Sequence, residues 1–278
     1  MKCETILEKG SSRLNEDNLI VEGHLFGVFD GATSLDKTRF ENGKTGGFLA
    51  SFAARSVFKT NHFPLVELAN GANQAIYSRM IRHGVDLTRK ENLWSTSAAV
   101  IRIQGNTLEW VQTGDAYIIL IFNDNTHQVL VEQEDHDYET LCLWPARGKN
   151  EPSGTDTRLV DQIRKKRAEM NLTYGVLNGE SRAMDFLNHG RESLDQVKAV
   201  LLFTDGLSIP AEKPEKKKDF TPLVTLYHHL GLAGLKNRIR QMENRDPACR
   251  IYPRFKTHDD IAAIAIENVD EAVNRAWS

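Results

Sequence analysis

The chain switches repeatedly between two hydrophobic periods. In "DNLIVEGHLFGVFD", residues 17–30, two short apolar runs flank Glu22-Gly23, which predicts two strands joined by a turn, the second buried because it is nearly all apolar. From Thr45 the period lengthens. Phe48, Leu49, Phe52, Ala53, Ser56 and Val57 recur at helical spacing, and after Pro64 so do Leu65, Leu68, Ala69, Ala72, Ile76 and Met80, predicting two amphipathic helices. Strand character returns in "TSAAVIRIQGNTLEWVQTGDAYIILIFNDNTHQVLVEQED", residues 96–135, where Gln104-Gly105-Asn106 and Asn123-Asp124-Asn125 mark the turns of an antiparallel meander.

Farther along, "ARGKNEPSGTDT", residues 146–157, has the Pro, Gly and charge content of a mobile surface loop and leads into a charged helix over "RLVDQIRKKRAEM". "VKAVLLFTDGLS" predicts another buried strand, "KPEKKKD" a solvated loop, "LVTLYHHLGLAGLKNRIRQM" a helix and "DDIAAIAIE" a last strand. Grouped strands and grouped helices without strict βαβ alternation argue for an α+β fold, with two sheets burying the two-sided apolar strands and helices outside them. No repeat and no long linker divides residues 1–278, so one domain is expected.

Composition changes this picture little. At 278 residues, 40% hydrophobic and 26% charged, the chain can bury a sizeable core. A formal net charge of -3 offers no general attraction to nucleic acid or anionic membrane. Cys3, Cys142 and Cys249 lack the spacing of a zinc site and read as reduced thiols. "MKCETILEKGSS" has Glu and Lys where a signal peptide needs an apolar core, and no run approaches the roughly 20 apolar residues of a membrane span, so a cytoplasmic protein is expected.

The candidate chemistry lies at strand ends. "LFGVFDGATS" closes an apolar run on Asp30-Gly31, yet the following "ATSLDKTRFENGKTGG" supplies no partner strand for a hairpin. "LLFTDGLS" repeats the device at Asp205-Gly206. Asp17 stands just before "NLIV", Asp115 within "TGDAYIIL", and Asp259 just before "IAAIAI". Taken singly, each is a turn or cap residue. If such ends converge, five carboxylates meet in a poorly solvated cleft, and cations are the economical way to neutralise them. All-oxygen ligation selects Mg2+ or Mn2+ over zinc or copper, and two ions bridged by a carboxylate about 3.5–4 Å apart suit phosphoester hydrolysis.

An ordered set of blocks carries a resemblance. "SRLNEDN", "VFDGAT", "WSTSAAV", "TGDAYI", "EDHDYE", "LLFTDGLS" and "HDDIAAIAI" follow one another across nearly the whole chain. In this the sequence resembles the metal-dependent protein serine/threonine phosphatases of type 2C, the PPM family, as a divergent, compact, prokaryotic-type member. The resemblance implies an αββα sandwich of two antiparallel sheets with the metal cleft at one end, and a short flap within about 145–172. It implies two Mn2+ or Mg2+ ions, a phosphoserine or phosphothreonine protein as substrate, and in-line attack by a hydroxide bridging the ions.

Residue by residue, Asp30 matches the bridging carboxylate and the Gly31 carbonyl a ligand of one ion, while Asp205 and Asp259 match direct ligands of the other. Glu16 and Asp17 match acids that hold metal-bound water. Asp115 matches an acid that serves a third, weaker ion in bacterial members. Arg13 resembles the phosphate-binding arginine, a role suited to a guanidinium fork, although it stands one residue nearer Glu16-Asp17 than in the common pattern. Ala32-Thr33 stand where the family usually has His-Gly, so the histidine proposed as general acid is absent.

That departure motivates a rival reading, a phosphatase-like regulatory module that binds without catalysis. Retention of Asp30, Asp205 and Asp259 favours the enzyme, since clustered acids cost stability. A metal-dependent nuclease is disfavoured by the acidic balance and the lack of an aromatic-basic groove. The expected partner is therefore a phosphoprotein, with no nucleic acid and no membrane, and the chain is expected to act as a monomer.

The remaining conspicuous residues have plainer readings. His24 and His228-His229 lack paired ligand spacing. His258 reads equally as a support for Asp259 or as a loop residue. "RKKR" and "KPEKKK" read as solvated faces, and "NGKTGG" lacks the earlier glycine and preceding strand of a phosphate loop.

Overall fold

The computed structural model describes residues 1–33, 35, 38–143 and 157–269. Two five-stranded antiparallel sheets form its centre. The first has the order β1 (Lys2–Glu8), β10 (Ile261–Glu267), β9 (Val197–Phe203), β6 (Tyr117–Phe122), β7 (His127–Val129). In the second, β2 (Asn18–Glu22), β3 (Leu25–Gly31), β4 (Thr96–Gln104), β5 (Thr107–Thr113) and β8 (Asn188–Ser193) lie side by side.

Strand alternation builds three apolar layers from these two sheets. Phe26, Val28, Ile101 and Leu108 meet Ile118, Leu120, Val200, Leu202, Ile264 and Ile266 between the sheets. Leu25 and Phe29, on the opposite face of β3, pack against α1 (Gly46–Phe58) and α2 (Leu65–Arg82) through Leu49, Phe58, Leu68 and Ile76. Ile119, Ile121, Leu201 and Phe203 pack against α5 (Thr221–Arg245) through Leu223, Tyr227, Leu235 and Ile239. The expected α+β sandwich is the observed one. Among the described residues no helix is long and apolar enough to cross a membrane.

Several elements differ from the sequence expectation. The meander over 96–135 is two hairpins on different sheets, because the chain crosses from β5 to β6 through Gly114, whose φ of +68° an L side chain seldom adopts. Alternation is the same in either arrangement, so the sequence pattern does not separate them. The helix over 223–242 is broken at Gly231, which has φ 68° and ψ -179°. β1 and β8 are edge strands with largely exposed side chains, held by backbone pairing to β10 and β5, and their composition gives little sign of them. The charged helix is α4 (Thr157–Ala168), whereas the loop expected just before it falls almost wholly on residues 144–156, outside the described residues. The flap expected within 145–172 is therefore described only from residue 157. A short helix, α3 (Tyr138–Cys142), follows "EDHD".

The lysine and threonine of "NGKTGG" serve no phosphate loop. Thr45 caps α1, its hydroxyl accepting from the Phe48 N–H at 3.2 Å.

Candidate metal centre

Antiparallel pairing forces the acids together. β3 runs out at Asp30 beside the start of β2, which follows Asp17. β9 runs out at Phe203, opposite Ala263 near the start of β10 and opposite Tyr117 at the start of β6. Asp205, Asp259 and Asp115, each one or two residues beyond those strand ends, thus gather at one end of both sheets. The glycines after Asp30 and Asp205 are sterically required: a Cβ on Gly31 would lie 2.5 Å from the Glu16 carbonyl oxygen, and one on Gly206 would lie 2.0 Å from that of Asp260.

Electrostatics records the crowding. Burial, then repulsion from Asp17 and Asp205, holds the Asp30 carboxyl well above the usual carboxylate range. Asp17 is raised likewise by burial, against the hydroxyl of Thr204 donating to its Oδ2 at 2.7 Å, with Asp259, Asp260 and Asp205 adding repulsion. Asp205 is pushed up to about 7 by burial, Asp259 and Asp115. Asp115 goes the other way: burial acts to raise it, but the charge of His136, the Ser97 hydroxyl at 2.5 Å and Lys218 together lower it. Glu16 is buried; its Oε2 accepts from Thr33 Oγ1 at 2.5 Å, while its Oε1 has no hydrogen-bond partner.

This donor set fits hard divalent cations. It is all oxygen, short of countercharge, and includes a buried acceptor left without a donor. One protein cation already leans in: Lys256 Nζ lies 2.6 Å from Asp259 Oδ1, and although burial opposes its charge, Asp259, Asp30 and Glu16 hold its pKa far above the ordinary lysine value.

The cleft has two lobes, of about 330 and 390 Å3, that share Asp115, Asp137, Asp205, Lys256 and Asp259. Asp30 and Gly31 line the second, with Arg167, Tyr174 and His136. Arg13 is exposed and lines neither lobe. Asp17 and Glu16 stand behind Asp30, buried.

Sequence reasoning missed several cleft residues. Asp260 is the buried partner of Asp259: it accepts from the Gly10 N–H at 2.7 Å and the Glu16 N–H at 2.8 Å. His258 does not support Asp259; its Nδ1 lies 2.8 Å from Glu243 Oε2.

Both basic runs send their last residue inward, which corrects the solvated-face reading. In "RKKR", Arg164 and Lys165 are exposed, but Arg167 enters the cleft, donates to the Thr33 carbonyl and makes no ion pair among the described residues. In "KPEKKK", Lys216 and Lys217 are exposed, whereas Lys218 lies 3.5 Å from Asp135 and 5.3 Å from the Tyr117 ring centroid. Within "EDHDYE", His136 and Asp137 line the cleft too. No sequence signal marked these residues, since a run of like charge does not show which member turns inward.

The sequence profile of the family described as Protein phosphatase 2C matches residues 11–242. No curated protein matches the sequence. Among solved structures, the serine/threonine phosphatase PstP/Ppp of Mycobacterium tuberculosis superposes with a TM-score of 0.59 at 16% identity, covering 96% of this chain and 97% of that one. A catalytic domain of PstP in complex with two manganese ions gives 0.58 at 16% identity, with the same coverage. Stp1 from Staphylococcus aureus gives 0.56 at 14% identity, covering 96% of this chain and 94% of that one. At such identities the likeness is one of fold.

Proposed function

The chain belongs to the protein phosphatase 2C family, and from that premise we propose which residues carry out its chemistry. It is a metal-dependent protein serine/threonine phosphatase, its cofactors are Mn2+ or Mg2+, and its substrates are phosphoproteins. Asp30, the Gly31 carbonyl, Asp205 and Asp259 would hold the two ions, Glu16 and Asp17 would support them as buried acids, and Asp115 would serve a further ion. The observation that carries this assignment is the convergence of Asp17, Asp30 and Asp205 with their carboxyl groups all held above the ordinary range by burial and one another.

When bound, the ions supply charge neutralisation and an acidified water as nucleophile toward phosphorus. The chain's own part is to bind and orient. Arg167 stands in the cleft wall with a guanidinium that makes no ion pair among the described residues, which suits it to receive phosphate oxygens. Arg13 lies on the loop between Gly10 and Glu16, whose two ends are both pinned to Asp260, so it approaches phosphate from the rim. With Ala32 at the usual histidine position and the Thr33 hydroxyl committed to Glu16, no side chain of the Asp30–Thr33 turn is left to protonate the leaving alkoxide.

The same reading takes residues 1–278 as one catalytic domain, with 157–172 belonging to a flap over the second lobe. It takes the enzyme as a cytoplasmic monomer, and the net charge of -3 supports the expectation of no nucleic-acid or anionic-membrane partner. Hydrolysis of para-nitrophenyl phosphate and of a phosphothreonine peptide, with Mn2+, with Mg2+ and with chelator, tests the activity. Turnover should need either ion and vanish in chelator; full turnover by protein shown to be metal-free would refute it.

A further inference from the structure

We infer that the first lobe of the cleft is a subsite for a lysine or arginine side chain of the phosphoprotein substrate, drawn from within three residues of the phosphorylated one. The inference rests on the phosphatase reading of the cleft, and it names the sequence context that such an enzyme selects.

The lobe, of about 330 Å3, has Asp205 and Asp259 among its lining residues, so it is continuous with the proposed metal centre. An extended peptide advances about 3.3–3.6 Å per residue. A phosphoester held at those acids therefore brings the neighbouring side chains of its own chain to the lobe. Much of the lining is apolar: Ile209, Pro210, Pro214, Phe220, Pro222 and Phe255. The prolines offer no N–H, which leaves a surface suited to hydrocarbon.

Glu215 and Asp219 complete that side of the lobe. Both are exposed, and neither makes an ion pair among the described residues. The loop that carries them is pinned to residues 132–135, the Asp135 N–H donating to the Lys216 carbonyl at 2.8 Å, and its lysines turn to acids there. Lys216 lies 2.9 Å from Glu134 and Lys217 lies 3.9 Å from Glu132. The cations that line the lobe are committed too: Lys218 lies 3.5 Å from Asp135, Arg254 2.9 Å from Asp246 and Lys256 2.6 Å from Asp259.

An apolar lining edged by two carboxylates without cations is the complement of a long basic side chain, which packs its methylene stem on apolar surface and keeps its charged end in water. A leucine in the same place gains only the stem contacts. A glutamate meets repulsion.

Phosphothreonine peptides carrying Arg, Leu or Glu at each of three positions on either side of the phosphothreonine test this, with the full chain in Mn2+. At the position that reaches the lobe, kcat/KM for Arg should exceed that for Leu by about three- to fivefold and that for Glu by at least about tenfold. The spread should shrink as salt rises from about 0.05 to 0.5 M. Glu215→Gln combined with Asp219→Asn, which keeps an oxygen to accept the Thr221 N–H held at 2.9 Å, should bring Arg level with Leu. Turnover of para-nitrophenyl phosphate, which has no flanking residue, should stay unchanged in that variant. Equal kcat/KM for Arg and Glu at every position, or an Arg preference that survives in the double variant, overturns the inference. Fluorescence anisotropy of the same peptides, labelled, repeats the comparison without turnover. Hydrolysis of para-nitrophenyl phosphate without an Arg preference leaves the enzyme reading standing and removes this one; binding that prefers Arg, in a protein that hydrolyses neither substrate, does the reverse.

Discussion

Asp260 Oδ2 accepts the backbone N–H of Glu16 at 2.8 Å, across 244 residues of sequence, while its Oδ1 accepts that of Gly10 at 2.7 Å. A buried carboxylate thereby fixes both ends of the loop that delivers Glu16 and Asp17 to the back of the cleft. Its neighbour Asp259 instead faces the cleft, next to Lys256.

Asp260→Ala should therefore act as a structural lesion that also weakens metal binding. Two charge-assisted bonds from backbone N–H groups, that of Glu16 buried and that of Gly10 half-buried, are lost, for about 2–4 kcal/mol. Urea denaturation should show that loss, and Mn2+ titration should show weaker binding although no proposed ligand has changed. Wild-type stability in the variant would mean that the loop is held by other contacts.

Lys256→Met should separate the tethered cation from the ions. Because the ammonium competes for Asp259, its removal should tighten Mn2+ binding by up to about tenfold, or roughly 1.4 kcal/mol. The metal-free variant should melt below wild type, since uncompensated acid remains. Calorimetric titration with Mn2+ checks the first effect, and weaker binding in the variant would make Lys256 a support instead of a competitor.

The contribution of the crowded cleft acids to the pH dependence of metal-free stability has a defined sign. Asp205 ionises in the fold at about 7 against 3.8 ordinarily, so between those values the folded chain retains a proton that the unfolded chain has lost. That stabilisation is full below about pH 4 and is lost as pH rises to about 7. Asp30, Asp17 and His136, also raised, act in the same sense. The unfolding free energy of chelator-treated protein should lose on the order of 3 kcal/mol from Asp205 across this window, the melting temperature should fall with it, and saturating Mn2+ should flatten the fall. A pH dependence of metal-free stability that is the same in Asp205→Asn as in the wild type would contradict the convergence of acids.

The two arginines should differ. Arg167→Ala removes a guanidinium from the cleft wall and should lower kcat/KM for a phosphothreonine peptide by about ten- to a hundredfold, on the order of 1–3 kcal/mol. Arg13→Ala should mainly raise KM. Metal content should be unchanged in both. Steady-state kinetics distinguishes them, and an Arg167→Ala enzyme with unaltered kcat/KM would remove that residue from phosphate binding.

What the sequence revealed of the fold and the site follows physical lines. β3, β9 and β10 were legible because two-sided burial leaves continuous apolar runs, and Asp30 and Asp205 because a carboxylate directly after such a run is chemically odd. β1 and β8 were not, since edge strands are held by backbone groups and their side chains face water. Asp259 and Asp260 are the same residue type side by side; only the backbone N–H groups of Gly10 and Glu16 distinguish the structural acid from the one facing the cleft. Arg167 and Lys218 were hidden inside runs of like charge, because a run does not reveal which member turns inward. His136 lay within a recognised block, but only the tertiary structure brings it to Asp115.

Asp30→Asn tests most directly whether the carboxylate that closes the apolar run "LFGVFD" exists to hold catalytic metal. Mn2+ stoichiometry and phosphopeptide turnover, measured on the same folded preparation, should show loss of the paired ions and a fall in kcat of at least about a thousandfold, some 4 kcal/mol of barrier. Near-normal turnover with the paired ions retained would contradict the account and return Asp30-Gly31 to the role of a simple turn.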